Sequence, residues 1–205
     1  MNINRIFSRG EEVSQTLLDV FLSPYKADCR YLKRAALQYP KCDETKGETG
    51  DQGVWFIKGD FEIPESCYID DTGHFNSVEF NICYNQLFYV LIAYLVQNRL
   101  LSAMSDWDLE TYKRRQLSDF LITKFSSTFR RPVNSDAFQG MLSINKCAAR
   151  SKLITVRTSC AFYDEHGLSE GDVTVCVVNQ PASHPTESIQ KASLSLLSVS
   201  APGEF

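Results

Sequence analysis

Several familiar chemistries are absent from this chain. Seven cysteines are present, but none forms a CxxC pair, and none stands at a metal-ligand spacing from the three histidines. No metal site is therefore legible. GxSxG, HExxH, GxGxxG and the Walker lysine loop are all missing, as is any clear Ser/His/Asp order. These absences argue against the common serine hydrolases, metalloproteases, kinases and dinucleotide enzymes. The longest apolar run, near Leu87 to Val96, is too short and too interrupted by polar groups to span a bilayer. The opening MNINRIFSRGEEVSQ has no continuous apolar core of a signal peptide. A net charge of -4 gives no reason to expect nucleic acid or an anionic membrane as partner. What is present is ordinary for a soluble protein: 205 residues, 43% hydrophobic and 22% charged. Cys67, Cys83, Cys147, Cys160 and Cys176 sit in apolar or alternating runs and read as small buried hydrophobes in a reducing cytoplasm. A site in such a chain must be assembled from dispersed polar groups over an apolar slot.

The richest stretch runs from Ile63 to Arg99. It opens as a polar loop holding Glu65, Cys67, Tyr68, Asp70, Asp71, His74 and Asn76. Asn76 followed by Glu79 has the spacing of a capping box, so a helix is expected to begin there. No Pro or Gly interrupts Asn76 to Asn98, and a helix this apolar is buried. Ser77, Asn81, Asn85 and Tyr89 nevertheless recur every fourth residue as one polar stripe. Buried amides need partners, so the stripe is either satisfied within the core or faces a substrate channel.

Around this helix the pattern reads as α+β. Short helices are expected at Glu11–Leu22, ended by Pro24, and at Asp28–Leu37. A polar loop follows over 41–53. Val54–Ile63 reads as a strand whose Gly59 marks a bulge, and Ser105–Gln116 as a connector or short helix outside the core. Strands are expected at Leu117–Phe129, Phe138–Arg150, Leu153–Tyr163 and Asp172–Asn179, the last after a turn over 164–171. The organisation expected is 1–53 leading in, a domain over 54–180, and a Ser/Pro-rich disordered tail over 181–205.

The segments LSPYKADCRYL, PESCYI, TGHFNSVEFNICYNQL and FSSTFRRPVN resemble the FcoT-like family of acyl-thioester enzymes. The resemblance spans roughly Leu17 to Val178. It implies a hot-dog fold, in which an antiparallel sheet wraps one long central helix, and sites shared between the two chains of at least a homodimer. It also implies a substrate pocket of two tyrosines and two asparagines, carried here by Tyr25, Tyr68, Asn76 and Asn85. In one regular helix Asn76 and Asn85 would lie about 13 Å apart on opposite faces. Either Asn76 precedes the helix, or the two line different parts of a slot, or the site spans an interface.

The residues themselves suggest roles. His74, just before the helix start, is read as a proton shuttle or as a structural hydrogen bond. Glu79 is either the capping-box partner or a general base, and Asp70 and Asp71 read as turn residues. The catalytic candidates are His74 and Glu79, together with Tyr68 from the pocket that the resemblance implies. Arg130 and Arg131, with Lys124 upstream, can grip a phosphate or carboxylate, although neighbours on a strand point to opposite faces.

The resemblance implies two activities: hydrolysis of fatty acyl-CoA, or addition of glycine to the β-carbon of a (2E)-enoyl group on an acyl carrier protein in isonitrile lipid biosynthesis. Hydrogen-bond donors suit an enolate better than they activate water, which favours glycine addition. A non-catalytic acyl-binding module is the third possibility. No cofactor is expected beyond the phosphopantetheine or coenzyme A that the substrate brings.

Overall fold

The computed structural model describes residues 10–38, 55–69, 73–150 and 152–179. Its elements in chain order are β1 (Glu11–Glu12), α1 (Gln15–Leu22), β2 (Leu32–Gln38), β3 (Trp55–Phe61), α2 (Ser77–Gln97), α3 (Leu109–Arg115), β4 (Phe120–Arg131), β5 (Phe138–Arg150), β6 (Leu153–Tyr163) and β7 (Leu168–Val178). All strands pair antiparallel in one sheet of order β1-β2-β3-β5-β6-β7-β4. The sheet wraps α2, and Phe80, Tyr84, Leu87, Leu91 and Leu95 of the helix are fully buried. This is the hot-dog arrangement. The expected disordered tail and the 41–53 loop lie outside the described residues.

The helix begins where its capping box placed it. Asn76 has extended backbone angles, so it precedes the helix proper. Its Oδ1 accepts from the N–H groups of Val78 (2.9 Å) and Glu79 (3.3 Å), while Glu79 Oε2 accepts from the Asn76 N–H (3.1 Å). The polar stripe is not a set of core amides. Ser77 and Asn81 are exposed, and Asn85 and Tyr89 half-buried, on the side of α2 turned away from the sheet.

Four expectations are corrected. Asp28–Leu37 is not a helix: a short 3₁₀ turn at Ala27–Cys29 leads into β2, which pairs with β3. Leu, Lys, Arg and Ala favour helix locally, but the open edge of β3 overrides that preference. Gly59 is not a bulge. It pairs regularly with Gly140, and the irregularity falls in β2 between Leu32 and Arg34. A Cβ at Gly59 would come within 2.4 Å of Leu32 Cδ1, so the residue is small because the core presses on it. The segment 105–116 does reach the core: Tyr112 is fully buried and its hydroxyl donates to the Tyr89 carbonyl at 3.0 Å. The last turn is shorter than expected, because β7 starts at Leu168.

Candidate active site

The start of α2 and the end of β4 meet at one corner of the sheet. Backbone bonds hold them: the Phe75 N–H donates to the Val133 carbonyl (3.0 Å), and Ile63 N–H to that of Ser135 (2.9 Å). Between them opens a pocket of about 400 Å³. His74, Phe75, Asn76 and Ser77 line it from the helix side, and Phe129, Arg130, Arg131 and Pro132 from the strand side. Behind the apolar wall lies an aromatic cluster, with Phe80 meeting Phe75, Phe129 and Phe162 at ring separations of 4.9–5.9 Å.

Asn76 divides its amide between two tasks. Its oxygen is used by the helix cap, whereas Nδ2 is sealed from solvent with no hydrogen-bond partner among the described residues. A sealed, unused donor costs free energy, and it stands at the positive end of the helix dipole, where a developing oxyanion is stabilised. His74 is exposed at the mouth.

The two arginines differ. The β4–β7 register slips between Phe129 and Arg131, so Arg130 is the extra residue of a bulge. Its Nε donates to Glu170 Oε2 at 3.0 Å. Arg131 has no ion pair among the described residues and is the available guanidinium of the pocket. Lys124 is not with them; it sits six residues before Arg130 on β4, roughly 20 Å away in an extended strand.

Glu79 is 3% exposed and holds the cap. One turn on, the Cys83 thiol is pushed well up by burial, with the Glu79 carboxylate adding to the effect. Tyr25 sits farther along the outer side of α2. Burial pushes its phenol well up, with Tyr89 and Cys83 as neighbours. Asn85 donates from Nδ2 to Asn81 Oδ1 at 3.1 Å. Tyr68 is 52% exposed on the loop after β3. The adjoining Cys67 is exposed rather than buried as expected, and lies near Tyr31, whose hydroxyl donates to the Glu65 carbonyl. Hence His74, Asn76, Arg130 and Arg131 share one pocket. Tyr25 and Asn85 border the outer side of the same helix instead, with the stripe from Ser77 to Tyr89 running about 18 Å along it. Asp70 and Asp71 lie outside the described residues.

Sequence reasoning missed Gln86. It is fully buried, its Nε2 donating to the Cys29 carbonyl (2.6 Å) and its Oε1 accepting from the Leu32 N–H (2.9 Å). A glutamine off the polar stripe of an otherwise apolar helix was the signal available for it.

A long buried helix gripped by an antiparallel sheet, with a polar pocket at the helix N-terminus and an aromatic wall, defines the hot-dog class of acyl-thioester proteins. Residues 20–177 match the FcoT-like thioesterase domain, and the chain belongs to that family. It is 41% identical over 173 residues to a (2E)-enoyl-[ACP] glycyltransferase of Streptomyces coeruleorubidus, covering 82% of this chain and 98% of that protein. A protein of the same name from Mycobacterium tuberculosis strain H37Rv is 33% identical over 174 residues, covering 82% and 89%. Among solved structures, a thioesterase family protein from Silicibacter pomeroyi superposes with a TM-score of 0.40 at 9% identity, covering 80% of this chain and 97% of that one.

Proposed function

We propose that this chain adds glycine to the β-carbon of a (2E)-enoyl group held as a thioester on an acyl carrier protein, with the pocket at the start of α2 as the reacting centre. Relatives carrying the glycyltransferase name cover most of its length. The observation that carries the reading is the Asn76 Nδ2 at the helix N-terminus, without a hydrogen-bond partner among the described residues, in one pocket with Arg131, which makes no ion pair among them.

The glycine carboxylate docks on the Arg131 guanidinium, which leaves the amine near the alkene. The neutral amine attacks the β-carbon, and the alkene electron pair shifts toward the carbonyl to give a thioester enolate. That oxygen takes the Asn76 Nδ2 hydrogen bond and the field of the α2 N-terminus. The ammonium proton leaves through His74, and a proton returns to the α-carbon, restoring the thioester. Tyr68, Tyr25 and Asn85 hold the acyl group and its pantetheine arm along the outer side of α2. No metal or further cofactor takes part. Mass spectrometry of an enoyl-carrier-protein reaction with and without glycine tests this. A glycine-dependent mass gain is expected, and release of free acid regardless of glycine means a hydrolase.

The working unit in this reading is a homodimer. Among the described residues one edge of β4 is unpaired, Ile122 and Phe129 on that strand are exposed, and the outer side of α2 shows Val78. Such an edge invites another strand, and a second copy would roof the α2 stripe. Light scattering is expected to give two chains per particle, and an active monomer overturns this.

A further inference from the structure

The sheet face turned away from α2 carries a row of cations that the pocket chemistry does not use. Lys146 stands opposite Arg157, Arg157 opposite Thr174, and Thr174 opposite Lys124. These four residues therefore share one row across β5, β6, β7 and β4, on the face that the alternating burial of β6 and β7 turns outward. Lys146, Arg157 and Lys124 are all exposed, and none makes an ion pair among the described residues. Four residues further along β5, Arg150 stands opposite Leu153. Leu121 (49% exposed) and Leu153 (46% exposed) supply apolar contact beside the row.

Two of the nearby carboxylates are paired: Glu170 holds Arg130, and Asp119 holds Arg115. Asp172, one row away, is exposed and accepts from Ser159 Oγ at 2.6 Å, so it sets one negative charge beside the three cations of the row. A chain of net charge -4 thus presents a strip of net positive charge. Three inter-strand steps make the row about 14 Å wide, slightly more than the 10–12 Å or so of one helix with its side chains.

We propose that this row, with Leu121 and Leu153, is the docking surface for the carrier protein, whose acidic helix lies across β5, β6, β7 and β4. The inference rests on the carrier-bound substrate of the preceding reading. Charge complementarity sets the choice of partner: an acidic protein meets the strip, whereas the rest of this acidic chain repels it. Lys124 is on the strand that ends at the pocket, roughly 20 Å from Arg130. The flexible phosphopantetheine arm bridges from the docked carrier to the enoyl site.

The test is the triple variant Lys124→Ala, Lys146→Ala, Arg157→Ala. Its KM for the enoyl carrier protein is expected to rise about tenfold, as loss of three exposed ion pairs implies. Its rate on the same enoyl group carried by pantetheine should match the wild type, which also shows that it folds. If the triple variant does not fold, the pair Lys124→Gln and Arg157→Gln is read in the same way. Binding of labelled holo-carrier protein, followed by anisotropy without turnover, should weaken equally, and added salt should weaken the wild type more than the variant. Because binding needs no reaction, this arm holds even where the glycine chemistry fails. Unchanged carrier affinity overturns the proposal. So does an equal loss on the pantetheine substrate, or an equal loss on the coenzyme A thioester, which would make the strip a nucleotide phosphate site.

Discussion

Replacing Asn76 separates its two duties. Asn76→Ser retains an oxygen that caps the helix about as well as asparagine but removes the Nδ2 donor; Asn76→Ala removes both. Loss of the cap costs about 1 kcal/mol, which for a domain of this size lowers Tm by roughly 2–4 °C. Loss of one oxyanion donor costs about 10²–10³ in rate. The serine variant should therefore melt within about a degree of the wild type and still lose the rate, whereas the alanine variant loses both. Initial rates come from the fall in enoyl-thioester absorbance at saturating glycine, and Tm from circular dichroism. A serine variant that is stable and fully active refutes the assignment of Nδ2 to the enolate oxygen. A serine variant destabilised as much as alanine instead refutes the cap geometry.

Arg131→Ala should raise the KM for glycine at least about tenfold, as loss of a charge-assisted pair implies, and leave any residual hydrolysis unchanged. Arg130→Ala, whose guanidinium already serves Glu170, should shift neither by more than about threefold; paired product analysis on one enoyl thioester reads both. Gly171→Ala should destabilise by about 1–3 kcal/mol, because its Cβ would lie 2.6 Å from the Ser126 carbonyl oxygen and 2.8 Å from Phe80 Cζ. Chemical denaturation measures that loss. Stability should also fall in alkali. Burial pushes the Cys160 thiol up to about 12 and Cys83 well above its ordinary range, whereas unfolded thiols ionise near about 8.5. The native state keeps protons that the unfolded state releases, so the stabilising contribution is complete below about 8.5 and declines as pH rises toward 12. A Tm series in alkaline buffers, falling less steeply for Cys83→Ala and Cys160→Ala together than for the wild type, confirms the source; the remaining slope belongs to Cys29 and to the buried tyrosines, which burial also pushes up.

The parts of the fold that local chemistry dictates were readable. Asn76 and Glu79 announce the helix start because a capping box is a contact within four residues. β5 and β6 came out with their observed bounds because alternation is also local. β2 was misread because its state depends on pairing with β3, across a separation that no short window spans. Gln86 was invisible for a related reason: its partners are the backbone of residues 54–57 positions earlier in the chain. At the pocket, the types of residue were legible but their division of labour was not. Nothing in adjacent letters says that a register slip would tie Arg130 to Glu170 and release Arg131.

The strand order has a consequence for biosynthesis. β4 leaves the ribosome carrying Leu121, Ile122 and Phe129, large apolar side chains that stay partly exposed even in the finished fold, but its sheet partner is β7, the last strand described. β5 and β6 can zip as a hairpin as soon as they emerge, and β4 must wait until Leu168 and its successors are made. Any nascent chain halted between Arg131 and Leu168 therefore displays an extended apolar segment with both edges open, a template for self-association. Premature stop codons in that interval should yield insoluble protein, while lesions after Val178 spare the pairing.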